Sequence, residues 1–142
     1  MIRNLDNKDI DKIMNIWLKS TIKAHDFIPK EYWENNYNIV KDVYIPIAET
    51  FVYEVNDEIK GFISIINNEF IGALFVDIDT QGNGIGRSLI DYAINKYKKL
   101  NLEVYKENKK SVDFYINRGF KIVKEQLNED SKHGEYIMEK II

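Results

Sequence analysis

Residues Leu74–Tyr97, LFVDIDTQGNGIGRSLIDYAINKY, run from an apolar strand-like stretch into a helical repeat through a loop with glycine at positions 82, 84 and 86. Leu89, Ile90, Ala93, Ile94 and Tyr97 recur at the spacing of one helix face. A strand that passes directly into a helix makes a crossover, so this unit commits the chain to at least one parallel step in its sheet. The first amides of a helix lack partners within it, and the helix dipole adds positive character there, so an anion can rest on them. Glycine removes the Cβ that would block such an approach and makes positive φ cheap. Arg87 follows at once and can add a cation beside a bound phosphate. A plain tight turn is the competing reading, but a plain turn rarely needs three glycines. The Walker phosphate loop of nucleoside triphosphatases is excluded, because no Gly-Lys-Ser/Thr follows. In the dinucleotide fingerprint the third glycine would fall at Arg87, and the loop lies mid-chain instead of in a first βαβ unit.

The rest of the chain reads as alternating helical and extended segments. MIRNL suits a short first strand. Ile10, Ile13, Met14 and Trp17 form an amphipathic stripe, with Asp6 or Asn7 as its N-cap. A second helix is expected from Pro29 to about Tyr44, with Trp33, Tyr37, Val40 and Tyr44 on one face. Three extended runs follow, TFVYEV, IKGFISII and FIGALFVDI, separated by the turn signals NDE and NNE; they predict an antiparallel meander. After the glycine loop and its helix come a strand in LNLEVY and a short helix in KKSVDFYINRGF that Gly119 can end in the left-handed conformation. FKIVKE and EYIMEKII close the chain as a hairpin across a polar loop, Gln126 to Gly134. The order β-α-α-β-β-β-α-β-α-β-β describes one α+β domain over residues 1–142.

Composition narrows the function classes. The chain has no cysteine, which removes disulfides and thiolate metal sites and fits a reducing, cytoplasmic setting. Its two histidines, His25 and His133, lie far apart in sequence, so no metal site is expected. The net charge of −3, with both signs interspersed, argues against nucleic acid as the main partner. No apolar run reaches the length of a membrane span, and no signal-peptide pattern opens the chain.

Several motifs together carry a resemblance. Gln81-x-x-Gly84-x-Gly86 matches the Gln/Arg-x-x-Gly-x-Gly/Ala loop of the GNAT family of acyl-CoA-dependent N-acetyltransferases. LFVDID resembles the family's fourth strand, and LEVYKEN followed by FYINRGF resembles its fifth strand and the next helix, with the family's Asn and Tyr at Asn108 and Tyr115. The stretch AHDFI…YW…VYIP is similar to the YjaB-like subgroup of small bacterial members. The resemblance implies a central, mostly antiparallel, twisted sheet of about seven strands with helices on both faces and splayed fourth and fifth strands. It implies acetyl-CoA as co-substrate, no metal, and acetyl transfer to a primary amine of a small molecule or a protein. With no cysteine to carry an acetyl group through sulfur, direct attack in a ternary complex is expected. A non-catalytic acyl-CoA sensor remains the alternative, and unrelated nucleotide binding a third reading. Family analogy allows a monomer or a homodimer.

By the same resemblance, the cofactor pyrophosphate lies on the amides of Gly82, Asn83, Gly84, Ile85, Gly86 and Arg87. Gln81 stands where arginine is commoner, and Ile78 where proline is common. The pantetheine arm runs like an added strand beside Leu74, Phe75 and Val76. Asn108 binds its far side, although asparagine there is equally a helix N-cap. Tyr115 corresponds to the general acid, and on its own would read as a core tyrosine. Glu103 occupies a position where some relatives keep a proton acceptor, although on its own it reads first as a solvated or salt-bridged surface residue, and no acid stands at Gly72 or Ala73. Strand alternation sends Glu103 and Tyr105 to one face and Val104 to the other, without saying which opens on the cleft. His25, Phe27 and Trp33, with Asp26 and Tyr32, fall where relatives shape the acceptor pocket, and a histidine there suits a proton relay, although a lone loop histidine is more often structural. Helical spacing alone reads Trp17 and Trp33 as core residues.

Overall fold

The computed structural model describes residues 1–142. Strand β1 (Ile2–Asn4) leads through a 3-10 turn at Asn7–Asp9 into α1 (Ile10–Ala24). Asp9 organises that entry: its carboxylate accepts from the Asp6 amide at 2.9 Å and from Arg3 at 2.7 Å. Helix α2 (Lys30–Ile39) begins one residue later than the sequence suggests, because Pro29 is its cap. The helical run does not end at Tyr44. Val40–Tyr44 widen into a π-turn, and α3 (Ile45–Ile47) completes it. Pro46 explains the widening, since a proline cannot donate to the carbonyl four residues earlier.

Strands β2 (Glu49–Val55), β3 (Glu58–Ile66) and β4 (Phe70–Val76) form the expected meander. Its turns place Asn56, Asp57, Asn67 and Asn68 at positive φ, which asparagine and aspartate tolerate better than other side chains. A 3-10 turn (Ile78–Thr80) and the glycine loop then lead to α4 (Ile85–Lys96), β5 (Lys99–Tyr105), α5 (Lys109–Asn117), β6 (Lys121–Leu127) and β7 (Gly134–Ile141). The single sheet has the order β1-β2-β3-β4-β5-β7-β6, and only β4–β5 is parallel. Strand β6 runs two residues further than its motif suggested and β7 begins one residue earlier, so the polar loop shrinks to residues 128–133. Gly119 ends α5 at φ +93°, as expected.

Two features open the sheet. Adjacent Ser64 and Ile65 of β3 face Ala73 and Ile71 of β4, which leaves Gly72 as the extra residue of a bulge. A bulge bends its strand and strengthens the twist. Strands β4 and β5 then pair only at Phe70 and Asn101, and diverge beyond that point. The expected splay is therefore present.

Each face of the sheet carries its own core. Phe51, Ile63, Leu102 and Met138 pack with Leu89, Ile90 and Ala93 of α4 and with Val112 and Tyr115 of α5. On the other face Val52, Ile59 and Phe62 pack with Ile13, Met14, Ile16 and Trp17 of α1. Neighbours such as Phe51 and Val52 go to opposite cores, as strand alternation requires. On β5, Val104 joins the α4–α5 core, whereas Tyr105 packs on His25 with ring centroids 5.2 Å apart. The Glu103–Tyr105 face is thus the one turned toward α1 and α2. No helix is long and apolar enough to cross a membrane.

Candidate acyl-transfer cleft

A cleft of about 1020 Å³ follows the divergence of β4 and β5. One end is the glycine loop. Gly82 and Gly84 sit at φ +88° and +80°, where any other side chain would be strained. A Cβ built on either would meet nothing within 4 Å, so the loop faces open space. Gly84 is the N-cap of the twelve-residue α4, and the first intrahelical bond runs from the Ser88 amide to its carbonyl. The amides of Ile85, Gly86 and Arg87 therefore have no partner inside the helix. Exposed Arg87 lines the cleft beside them, and Lys109 and Lys110 line it from the start of α5. Two lysines in a helix's first turn oppose the dipole, a local cost that an anion held there would offset. That pair was a usable signal the sequence reading passed over.

The loop's other residues brace it. Asn83 donates to Thr80 O at 3.1 Å, and Gln81 Nε2 donates to Val76 O at 3.2 Å. The Val76 carbonyl also accepts from Ser20 Oγ of α1 at 2.9 Å. Leu74, Phe75 and Val76 all line the cleft. A strand edge with one carbonyl already occupied and its neighbours unpaired by β5 can accept a short extended arm.

Asn108 and Tyr115 stand across the divergence. Asn108 is the N-cap of α5, its Oδ1 accepting from the Ser111 amide at 3.3 Å, and its Nδ2 lies 3.3 Å from His25 Nε2. The two readings of this asparagine are therefore compatible: it caps a helix and lines the cleft. Tyr115 is buried against Phe114 and Phe120, with ring centroids at 5.2 and 5.5 Å. Burial alone pushes its phenol well above the usual tyrosine range, so the hydroxyl keeps its proton near neutral pH.

The opposite end is walled by aromatic rings. His25, Phe27, Trp33 and Tyr105 meet at centroid distances of 5.0 to 6.3 Å. Trp33 is not a simple core residue as its helical spacing suggested. It is half-buried and lines the cleft, while its buried Nε1 has no acceptor. Trp17 is buried as expected and reaches the cleft wall. Phe27 packs on His25 and His133 but is not among the residues that line the cavity. The 128–133 loop closes over this end: Asp130 accepts from Tyr32 at 2.6 Å, and Ser131 from Tyr105 at 3.0 Å.

Two carboxylates share that end. Glu103 is exposed to the cleft, and Glu135 of β7 is 4 % exposed, held by Gln126 at 2.7 Å and Asn128 at 3.3 Å. Burial, and then the charge of Glu135, holds the Glu103 carboxyl above the usual range. Sequence reasoning missed Glu135, because only the pairing of β7 with β5 brings it to Tyr105 and near Glu103. His25 is buried, and that burial pulls its imidazole below the usual value, so the neutral ring prevails. No cluster of three metal-ligating side chains occurs.

A basic, glycine-lined end for an anion, an open strand edge, and an acidic, aromatic end beside a protonated phenol together suit transfer of a group from a phosphate-bearing carrier to a cation-forming acceptor. The acetyltransferase (GNAT) domain profile matches residues 22–138. The peptidyl-lysine N-acetyltransferase YiaC of Escherichia coli is 33% identical over 138 residues, covering 97% of this chain and 94% of that protein. The solution structure of apo YjaB from Escherichia coli superposes with a TM-score of 0.84 at 26% identity, covering 98% of this chain and 95% of that one. The PaiA N-acetyltransferase of Thermoplasma acidophilum, solved in complex with coenzyme A, superposes with a TM-score of 0.81 at 20% identity, over 100% of this chain and 98% of that one.

Proposed function

Because the chain belongs to the GNAT family of acetyl-CoA-dependent N-acetyltransferases, we propose that it acetylates the side-chain amine of lysine in a protein, by direct attack within a ternary complex. The observation that carries the reading is the pairing of a basic glycine loop with an acidic, aromatic pocket at opposite ends of one cleft. The similar protein YiaC is a peptidyl-lysine N-acetyltransferase, which supports the same acceptor class.

The residues fit coenzyme A. Gly82, Asn83, Gly84, Ile85, Gly86 and Arg87 would hold the diphosphate on their amides, with Arg87, Lys109 and Lys110 adding charge. The edge of β4 at Leu74–Val76 would align the pantetheine amides, with Asn108 opposite. When bound, acetyl-CoA supplies an acetyl thioester carbonyl. At the other end, Glu103 and Glu135 attract an ammonium, and the raised Glu103 carboxyl is closer in proton affinity to the amine than an ordinary glutamate is. Glu103 then serves as proton acceptor, directly or through water, and leaves the amine neutral for attack. Tyr115 holds its proton through the binding step and gives it, or a hydrogen bond, to the departing sulfur.

The test incubates purified protein and acetyl-CoA with lysine-bearing peptides, free polyamines and amino acids, following thiol release and product mass. Acetylated lysine side chains are the expected product. Release with polyamines alone would overturn the protein-lysine acceptor, and tight acetyl-CoA binding without release on any amine would overturn catalysis.

A further inference from the structure

His25 and Asn108 are 83 residues apart, yet their side chains meet between the two ends of the cleft. The contact fixes every proton along it. His25 Nδ1 lies 2.9 Å from the Thr21 carbonyl, and a carbonyl only accepts, so Nδ1 carries the hydrogen. Thr21 Oγ1 also lies 3.1 Å from that nitrogen. With the ring neutral, Nε2 presents a bare lone pair. Asn108 Oδ1 is committed to the Ser111 amide, so the asparagine must turn its NH2 toward His25. One chain results: Thr21 carbonyl, His25 ring, Asn108 amide, α5 N-terminus. One hydrogen of the Asn108 NH2 is left for a ligand in the cleft that this residue lines.

Resting on the reading of the cleft as a coenzyme A site, we infer that His25 is a positioning residue for the cofactor: its neutral Nε2 holds the Asn108 amide in the one orientation that offers an N–H to the pantetheine arm. Without an acceptor at Nε2, the Asn108 side chain keeps only its contact with Ser111 and can rotate about it. His25 itself sits in the aromatic wall against Trp33 and Tyr105, so the same ring borders both substrates. Glutamine can reproduce the link, since one amide both donates and accepts, whereas phenylalanine keeps the ring packing and removes the link.

The test is a double-mutant cycle on coenzyme A affinity, measured by calorimetry on the full chain. H25F alone weakens binding by roughly three- to tenfold, the value of one hydrogen bond. N108A weakens it at least as much. In the N108A background H25F adds nothing, because the group it positions is gone. H25Q stays within about twofold of the unmodified protein, and far-ultraviolet circular dichroism checks each fold. In steady state, H25F raises KM for acetyl-CoA more than it lowers kcat. Additive losses in the double mutant, or H25Q as weak as H25F, would overturn the inference while leaving the cleft a coenzyme A site. No uptake of coenzyme A by the unmodified protein would overturn both.

Discussion

Ser20 Oγ on α1 donates to the carbonyl of Val76 at the end of β4, 2.9 Å away and 56 residues later. The bond ties the first helix to the strand edge where the sheet opens, one turn ahead of the glycine loop. Gln81 Nε2 reaches the same oxygen from the loop side, at 3.2 Å. S20A removes one of these two donors, and the carbonyl remains satisfied by the other. The expected cost is about 1 kcal/mol, or roughly 3 °C in melting temperature for a domain of this size. KM for acetyl-CoA should rise with it, because the strand edge loses its brace. Calorimetric melting and steady-state kinetics check both effects. A loss of stability with an unchanged KM would make Ser20 purely structural.

Tyr115 separates catalysis from folding. Its ring fills the space between Phe114 and Phe120, whereas burial alone governs its hydroxyl. Y115F keeps the ring and removes the proton. Thiol release should fall by roughly a hundredfold, at the lower end of what a positioned acid contributes. Coenzyme A affinity and melting temperature should barely move. A full rate in Y115F would end the assignment of Tyr115 as acid.

The glycines of the loop should not respond alike. Gly84 stands at φ +80°, so G84A forces an L side chain into the left-handed region at a cost of about 1–2 kcal/mol. A Cβ on Gly86 would meet Val76 Cγ2 at 3.5 Å and Phe114 no nearer than 3.9 Å, which is ordinary contact. G86A should therefore keep the stability of the parent while weakening coenzyme A, since its methyl group adds bulk between Val76 and Phe114, both of which line the cleft beside the loop amides. Urea titrations separate the two glycines, and calorimetry with coenzyme A reads the binding loss.

These contrasts indicate what the sequence could and could not reveal. The glycine loop, the hairpin turns and the Gly119 stop are local, set by backbone conformations that few residues adopt, and they were readable from neighbouring residues alone. The cap that Asn108 makes on α5 was likewise readable from asparagine's local preference, whereas only their motif pointed to the place of Asn108 and Tyr115 on the cleft wall. The π-turn at Val40–Tyr44 had a signal in Pro46, but helical periodicity hides such widening. Glu135 was invisible for a different reason. Nothing in EYIMEKII says that β7 inserts between β5 and β6, and only that insertion brings a second carboxylate to the acceptor end. The Ser20–Val76 and His25–Asn108 contacts likewise join segments that only the tertiary fold brings together.

Glu103 predicts a pH signature. Its carboxyl titrates above the ordinary 4.5, because it is partly desolvated and faces Glu135. A raised acid holds its proton more tightly in the folded chain than in the unfolded one. Its contribution is fully present below the unfolded value and is lost as pH rises through the folded value. Near neutrality the ionised Glu103 is therefore a liability for stability, retained beside a second carboxylate. E103Q removes that charge while keeping the shape. Its melting temperature should exceed the parent's near neutral pH, and the difference should vanish under acid conditions where both are uncharged. Its kcat/KM for the amine should fall, and the acidic limb of the parent's pH–rate profile should change in the variant. If E103Q were less stable than the parent at neutral pH, Glu103 would not be a strained acid; if it kept both the rate and the acidic limb, Glu103 would not be the proton acceptor.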